Sequence, residues 1–118
     1  MSQDSILLSK SMEFAVRIVN LNKYLQSEKK EFVMSKQLLR SGTSIGANIR
    51  EAIYAQSTCD FVSKLSISMK ETSETEYWLE LLSRTGYLSE QEHQSIKDDC
   101  SEIAKILTAT LKSKKKNI

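Results

Sequence analysis

Few side chains of this sequence could take part in catalysis or in metal binding, and their spacing assembles no site. Glu90 and His93 match the Glu-x-x-His pair of di-metal helical bundles, but His93 is the only histidine, so the second pair cannot be formed. Cys59 and Cys100 share no CxxC motif and have no histidine base at a fixed spacing. No glycine-rich phosphate loop follows a strand. The sequence therefore predicts a protein with no catalytic residue, metal ion or cofactor.

The most informative stretch is the small-residue segment 37–52, which keeps a helical apolar rhythm but carries two of the three glycines. Gly42 and Gly46 lie one helical turn apart, and each glycine inside a helix costs roughly 0.5–1 kcal/mol relative to alanine. The two glycines therefore predict that another group packs closely against this helix. A neighbouring helix, another subunit and a ligand are the three alternatives at this point.

Polar side chains form two further stripes at helical spacing. In the second predicted helix they follow a spacing of four, four and three residues: Arg40, Ser44, Asn48 and Glu51. In the third helix two carboxylates and an aromatic side chain follow a spacing of three and four residues: Glu71, Glu74 and Trp78. Solvated outer faces are one interpretation. The other is a buried or subunit-bridging network, with Arg40 or Arg50 paired with Glu71 or Glu74.

Four helices must position these residues. The apolar periodicity and the absence of proline in 118 residues predict helices over about 5–27, 35–56, 58–85 and 90–112, followed by a lysine-rich tail, 112–118. Matched lengths and short connections favour one domain, 1–118, of the all-α class: an antiparallel up-down-up-down four-helix bundle.

Helix-terminal signals support these boundaries. Ser35 is a predicted N-cap of the second helix, and the segments 57–60 and 89–92 resemble capping boxes that open the third and fourth. Gly86 is placed for a left-handed C-terminal cap of the third helix. The run 27–31 is expected to be a solvated linker.

Charge is distributed unevenly along the chain. Residues 1–56 have eight Lys or Arg against five Asp or Glu, residues 57–111 have five against ten, and the tail adds four lysines. The basic and acidic parts could attract each other within or between subunits. The tail is either a solvated terminus or a non-specific contact for nucleic acid.

Neither a signal peptide nor a membrane span is expected. The first residues lack a basic start followed by an apolar run, and the longest apolar runs are two or three residues. Together with free cysteines, these features predict a cytoplasmic protein.

The segments around the two stripes resemble a known bacterial family. They are QLLRSGTSIGANIRE at 37–51, DFVSKL at 60–65, KETSETEYWL at 70–79 and GYL at 86–88. The chain is similar here to the four-helix-bundle proteins encoded in intervening sequences of large-subunit ribosomal RNA genes, a family also labelled as a ribosomal protein. Many relatives have a proline in place of Gly46 and a glycine in place of Ala52.

The resemblance implies a four-helix bundle that tends to assemble into closed five-membered rings, without an established biochemical activity. A related branch serves as accessory proteins for the reverse transcriptases of diversity-generating retroelements and binds nucleic acid or the polymerase through a basic surface. That branch is markedly basic, whereas the net charge here is only +2.

Two functions are therefore predicted. The first is a non-catalytic, self-associating helical scaffold that pairs the basic second helix with the acidic third helix of a neighbour. Its helix-packing or subunit-interface candidates are Arg40, Gly42, Ser44, Gly46, Asn48, Glu51, Glu71, Glu74 and Trp78. The second is a nucleic-acid or ribonucleoprotein accessory factor, assisting for example a reverse transcriptase. Its phosphate-contact candidates are Arg40, Arg50, Lys64, Lys70, Lys112, Lys114, Lys115 and Lys116.

Overall fold

A computed structural model describes residues 2–115 of the chain. They form four α-helices: α1 (Gln3–Ser27), α2 (Met34–Ile53), α3 (Thr58–Arg84) and α4 (Glu90–Lys115). No β-strand occurs among them. The bundle measures 47 × 22 × 22 Å, as expected for helices of 20 to 27 residues packed side by side.

Neighbouring helices in the sequence are also neighbours in space, and α4 returns to pack against α1. Along α2 and α3 the partners run in opposite directions, because Ser41 contacts Thr75 whereas Ile45 contacts Ser68. The other three helix pairs show the same reversal. The predicted antiparallel up-down-up-down four-helix bundle is confirmed.

The core is formed by one apolar face of each helix. Its fully buried members include Phe14, Ile18, Ile45, Leu79 and Leu107. Side chains of this size each contribute about 1.5–3 kcal/mol when they are fully removed from water. The bundle has four sides, and each side is formed by the outer surfaces of two neighbouring helices.

Two helix starts and one helix end follow the predicted signals. Ser57 Oγ accepts a bond from Asp60 N at 3.0 Å. Ser89 and Glu92 form a reciprocal capping box, with distances of 2.8 and 3.1 Å. Gly86 has φ +86°. The amides that follow α3 return to the carbonyls of residues 82 and 83, which is the Schellman arrangement.

The start of α2 differs from the prediction, because Ser35 is not its N-cap. The helix begins at Met34 and its N-cap position makes no side-chain bond. The buried carboxylate of Glu31 caps it instead, accepting from Ser35 N at 2.8 Å and from Val33 N at 3.3 Å. Lys30 adopts φ +54°, which turns the chain back and brings Glu31 to these amides. The run 27–31 is therefore not a solvated linker throughout.

Three helix ends also differ from the predicted bounds. α2 stops at Ile53 rather than near residue 56, because the last amides tighten into a turn and Ser57 must be extended to cap α3. α1 begins at Gln3, with Ser2 as its N-cap. α4 continues to Lys115, since lysine is a good helix former and its cation is favoured at a helix C-terminus.

Candidate interaction surfaces

The glycine pair of α2 lies against α1. A Cβ atom on Gly42 would come within 2.8 Å of Ile18 Cγ1 and 2.9 Å of its Cγ2, closer than real Cβ contacts. A Cβ on Gly46 would lie 3.3 Å from Ser11 Oγ. Of the three alternatives for what approaches the small-residue segment, the structure places a neighbouring helix of the same chain at Gly42.

The two polar stripes meet along the outer edge of the α2–α3 contact. Arg40 forms ion pairs with Glu71, at 3.3 Å, and with Glu74. Trp78 Nε1 donates to Glu74 Oε1 at 3.4 Å. The hydrogen bond from Arg40 holds the pKa of the Glu74 carboxyl below its usual value, and the indole donor acts in the same direction. This cluster is partly solvated, because Arg40 is 51% exposed and Glu71 is 15% exposed.

The remaining members of the α2 stripe are also occupied within the chain. Ser44 Oγ donates to the carbonyl of Arg40 at 2.6 Å, and Asn48 Nδ2 donates to that of Ser44 at 2.9 Å. Glu51 lies 3.9 Å from Lys64 Nζ. Of the two alternatives left open by the sequence, pairing within or between subunits, the structure shows the ion pairs of Arg40 with the carboxylates of α3 formed within one chain. The predicted pairing with a neighbouring subunit stays a prediction.

Buried hydroxyl groups beneath this edge were missed by the sequence reasoning. Ser68 Oγ donates to the carbonyl of Ile45 at 2.9 Å, and Thr75 Oγ1 donates to Ser41 Oγ at 3.0 Å. Their signal is small hydroxyl residues at positions that continue an apolar stripe. Since each bond fixes one residue of α3 opposite one residue of α2, these bonds set the register between the two helices.

A second surface missed by the sequence reasoning is a groove between α1 and α2, called the α1–α2 groove below. Its volume is about 320 Å³. It is lined by Leu8, Ser11, Met12 and Ala15 of α1 and by Thr43, Gly46, Ala47 and Arg50 of α2. Met12 in this lining is 50% exposed, and Val16, one turn farther along α1, is 54% exposed. The signal is a second apolar stripe on α1, in which Leu8, Met12 and Val16 recur every four residues.

The basic candidates separate into two groups. α2 ends, α3 begins and α4 ends at the same end of the bundle, called the basic end below. It carries Arg50, Lys64, Lys112, Lys114 and Lys115, with Tyr54 79% exposed. The ammonium of Lys114 lies 5.3 Å from the centre of the Phe61 ring, a cation–π contact. Lys70 lies farther along α3, Arg40 is occupied by Glu71 and Glu74, and Lys116 is outside the described residues.

The cysteines and His93 do not come together. Cys59 lies at the start of α3 and His93 at the start of α4, at opposite ends of the bundle. Cys100 is buried, and that burial raises the pKa of its thiol to about 12. Among residues 2–115, no group of three or more His, Cys, Asp or Glu side chains could hold a metal ion. No helix in this range is long and apolar enough to cross a membrane.

These features define a small antiparallel four-helix bundle with outward-facing grooves and charged surfaces. The family model of the 23S rRNA-intervening sequence protein matches residues 3–109, and the chain belongs to this family. The resemblance inferred from the sequence is confirmed.

The chain is also similar to a crystal structure from the S23 ribosomal protein family. It is that of a protein with unknown function from Bacteroides thetaiotaomicron VPI-5482, which is 60% identical in sequence with a TM-score of 0.93. The match covers 94% of this chain and 99% of that one. A comparison with curated proteins gave no match.

Proposed function

We propose that this protein is a non-catalytic helical scaffold that assembles with copies of itself into a closed ring. The observation that carries the proposal is the α1–α2 groove with the exposed side chains of Met12 and Val16 beside it. Apolar side chains that recur along one exposed helix face mark a surface that another protein covers. Methionine and aromatic side chains are enriched at such interfaces.

The small residues of α2 make this groove suitable for another helix. Thr43, Gly46 and Ala47 present little side-chain volume, so a partner helix can approach the α2 backbone closely. Arg40, Glu71 and Glu74 already form ion pairs with one another within the chain. Association through the groove buries apolar area, and Arg50 is the one charged side chain among the described lining residues that a partner must accommodate.

The test is the solution mass of the purified protein. We expect multi-angle light scattering at micromolar concentration to give a fixed multiple of the chain mass, 13.4 kDa. A five-membered ring, as the family resemblance implies, is the expected multiple. A mass equal to a single chain across the accessible concentrations would contradict self-association.

A second candidate function is a nucleic-acid-binding accessory role, in a ribonucleoprotein or beside a nucleic-acid enzyme such as a reverse transcriptase. The specific observation that favours it is the basic end, which carries Arg50, Lys112, Lys114 and Lys115 together with the exposed ring of Tyr54. Lysine and arginine neutralise phosphates, and an exposed aromatic ring can stack on an unpaired base. The lysines of α4 are distant from Arg50 and Tyr54 in the sequence, and the fold places them at the same end of the bundle.

Binding to a fluorescent structured RNA measures this second function. We expect the triple variant Lys112→Gln, Lys114→Gln and Lys115→Gln to lower the slope of log affinity against log salt by about 2 to 3, because each phosphate contact contributes about 0.7–0.9. The matched control removes Lys29, Lys30 and Lys36 at the other end of the bundle and should leave the slope unchanged. Absence of binding at low salt, or equal losses in both variants, would exclude this role.

A further inference from the structure

Tyr54 is the most exposed of the large hydrophobic side chains within residues 2–115, at 79%. It directly follows α2, where its amide donates to the carbonyl of Arg50 at 3.2 Å. The next amide, that of Ala55, donates to the carbonyl of Ala52 at 3.0 Å. These bonds fix the backbone of the turn, so the aromatic ring is presented to solvent from a defined position.

The other exposed aromatic rings differ from Tyr54 in their contacts or in their location. The ring of Tyr77 packs edge-on against the neighbouring indole at 5.0 Å, and a lysine ammonium lies 6.0 Å from the ring of Tyr24. Within residues 2–115, Tyr54 forms neither a ring contact nor a cation–π contact. Phe32, which is 57% exposed, also forms neither, but it lies at the other end of the bundle. Tyr54 is therefore the ring that the basic end leaves free to stack on a ligand.

Charge distinguishes the two ends of the bundle. The basic end has five Lys or Arg against three Asp or Glu, whereas the other end has five of each kind. The acidic side chains of the basic end are Asp4, Glu51 and Asp60, and Glu51 lies 3.9 Å from Lys64 Nζ. The residues counted are 2–6, 50–64 and 111–115 for the basic end and 23–36 and 80–92 for the other end. An anionic ligand is therefore favoured at the basic end.

Arg50 lies one helical turn before Tyr54. Because the amide of Tyr54 still donates to the carbonyl of Arg50, the two side chains keep helical spacing and lie on one face of α2. Arg50 is exposed and takes part in none of the ion pairs formed within residues 2–115. A free guanidinium beside a free aromatic ring provides two contacts for a nucleotide, one for its phosphate and one for its base.

A stacking ring selects nucleotides that are not paired. In a duplex both faces of an internal base are covered by its neighbours, so a protein side chain reaches a free base face in single strands, loops, bulges and ends. Stacking on an aromatic ring tolerates every base, because each base has a π face. The chemistry at Tyr54 and Arg50 therefore fits an unpaired nucleotide better than a continuous duplex.

We infer that the basic end binds unpaired nucleotides of RNA or DNA, with the ring of Tyr54 stacked on one base and Arg50 bound to an adjacent phosphate. The lysines at the end of α4 attract the flanking phosphates. This inference rests on the nucleic-acid role proposed above and adds the class of nucleic acid that is recognised and the side chain that distinguishes it.

Fluorescence anisotropy with labelled oligonucleotides tests the inference. The ligands are a single-stranded RNA of about 12 nucleotides, the DNA strand of the same sequence, and the duplex of that RNA with its complement. We expect Tyr54→Ala to weaken binding to both single strands by about tenfold and binding to the duplex by less than about twofold. Tyr54→Phe keeps the ring and should bind the single strands like the wild type. The salt dependence of Tyr54→Ala should be unchanged, because no phosphate contact is lost.

Two further variants complete the experiment. Phe32→Ala removes the exposed ring at the other end of the bundle, is the matched control, and should bind all three oligonucleotides like the wild type. Arg50→Gln removes one phosphate contact and should lower the slope of log affinity against log salt by about 0.7 for the single strands. Tyr54, Phe32 and Arg50 are all exposed, so each variant should keep the wild-type circular dichroism spectrum.

The outcomes separate this inference from the proposed function. Equal effects of Tyr54→Ala and Phe32→Ala, or equal losses of Tyr54→Ala for single strands and duplex, overturn stacking on an unpaired base while leaving electrostatic binding of nucleic acid in place. Weak binding by Tyr54→Phe has the same consequence, because the ring would then not be the group that matters. A wild-type protein that binds none of the oligonucleotides at low salt overturns both the inference and the nucleic-acid role.

Discussion

Replacing Gly42 by leucine is expected to destabilise the fold by about 3 kcal/mol or more. The first added carbon would lie 2.8 and 2.9 Å from the two γ carbons of Ile18. Ile18 is fully buried in the core and cannot move aside without displacing its own neighbours. The remaining carbons of the leucine have no space, so α1 and α2 must separate. Urea unfolding followed by circular dichroism at a fixed protein concentration measures the loss.

Gly46→Ala is the matched control for the Gly42 variant. Its added carbon would lie 3.3 Å from Ser11 Oγ and 3.4 Å from Ser11 Cβ, a tight contact that a shift of a few tenths of an ångström relieves. Alanine also gains up to about 1 kcal/mol of helix propensity over glycine. We therefore expect the urea unfolding midpoint of Gly46→Ala to be close to that of the wild type. An unchanged midpoint in Gly42→Leu would show that α1 and α2 are not in close contact at this position.

The sequence contained enough information for the fold class because each helix carries one strong apolar stripe with terminal signals. The paired Ser89 and Glu92, and Gly86 after α3, act through local geometry that a sequence pattern captures. The cap of α2 was not predictable in this way. Glu31 follows a run of charged residues that reads as solvent-exposed, and only the turn at Lys30 brings its carboxylate to the helix.

The interaction surfaces were predictable in part. The sequence identified Arg40, Glu71 and Glu74 by type and spacing, but pairing within the chain depends on the register of α2 against α3, which a periodic pattern does not fix. Leu8 and Met12 were missed for another reason. They lie beside the apolar stripe of α1 that faces the core. Whether side chains at such positions are covered depends on how closely α2 packs against α1.

The basic end shows a third limit of sequence reasoning. Lys114 is far from Arg50 and Tyr54 in the sequence, and the three share one end of the bundle only because alternate helices reverse direction. A search for neighbouring basic and aromatic residues along the chain cannot detect such a surface. The half of the chain with the most acidic residues also ends in the strongest cationic run, so net charge by segment gives no measure of local potential.

Glu31→Ala is expected to reduce the free energy of unfolding by about 2 kcal/mol. Glu31 is only 8% exposed, and its two carboxylate oxygens accept from the amides of Val33 and Ser35. Without them, two amides at the start of α2 lose their partners in a partly buried turn. Ser35 is itself held by Asn22, whose side chain donates to the Ser35 carbonyl at 3.0 Å, so the turn cannot open freely to water.

A pair of further variants distinguishes loss of the cap from loss of charge. Glu31→Gln keeps one carbonyl oxygen as an acceptor but replaces the other with a donor, so its stability should lie between wild type and Glu31→Ala. Glu28→Ala removes the same charge from an exposed position three residues earlier and should change the stability by less than about 0.5 kcal/mol. Because the bond from Glu28 N to the Tyr24 carbonyl is made by the backbone, the end of α1 is preserved in this control. Equal losses in Glu28→Ala and Glu31→Ala would assign the effect to net charge, and the carboxylate of Glu31 would then have no role as the cap of α2.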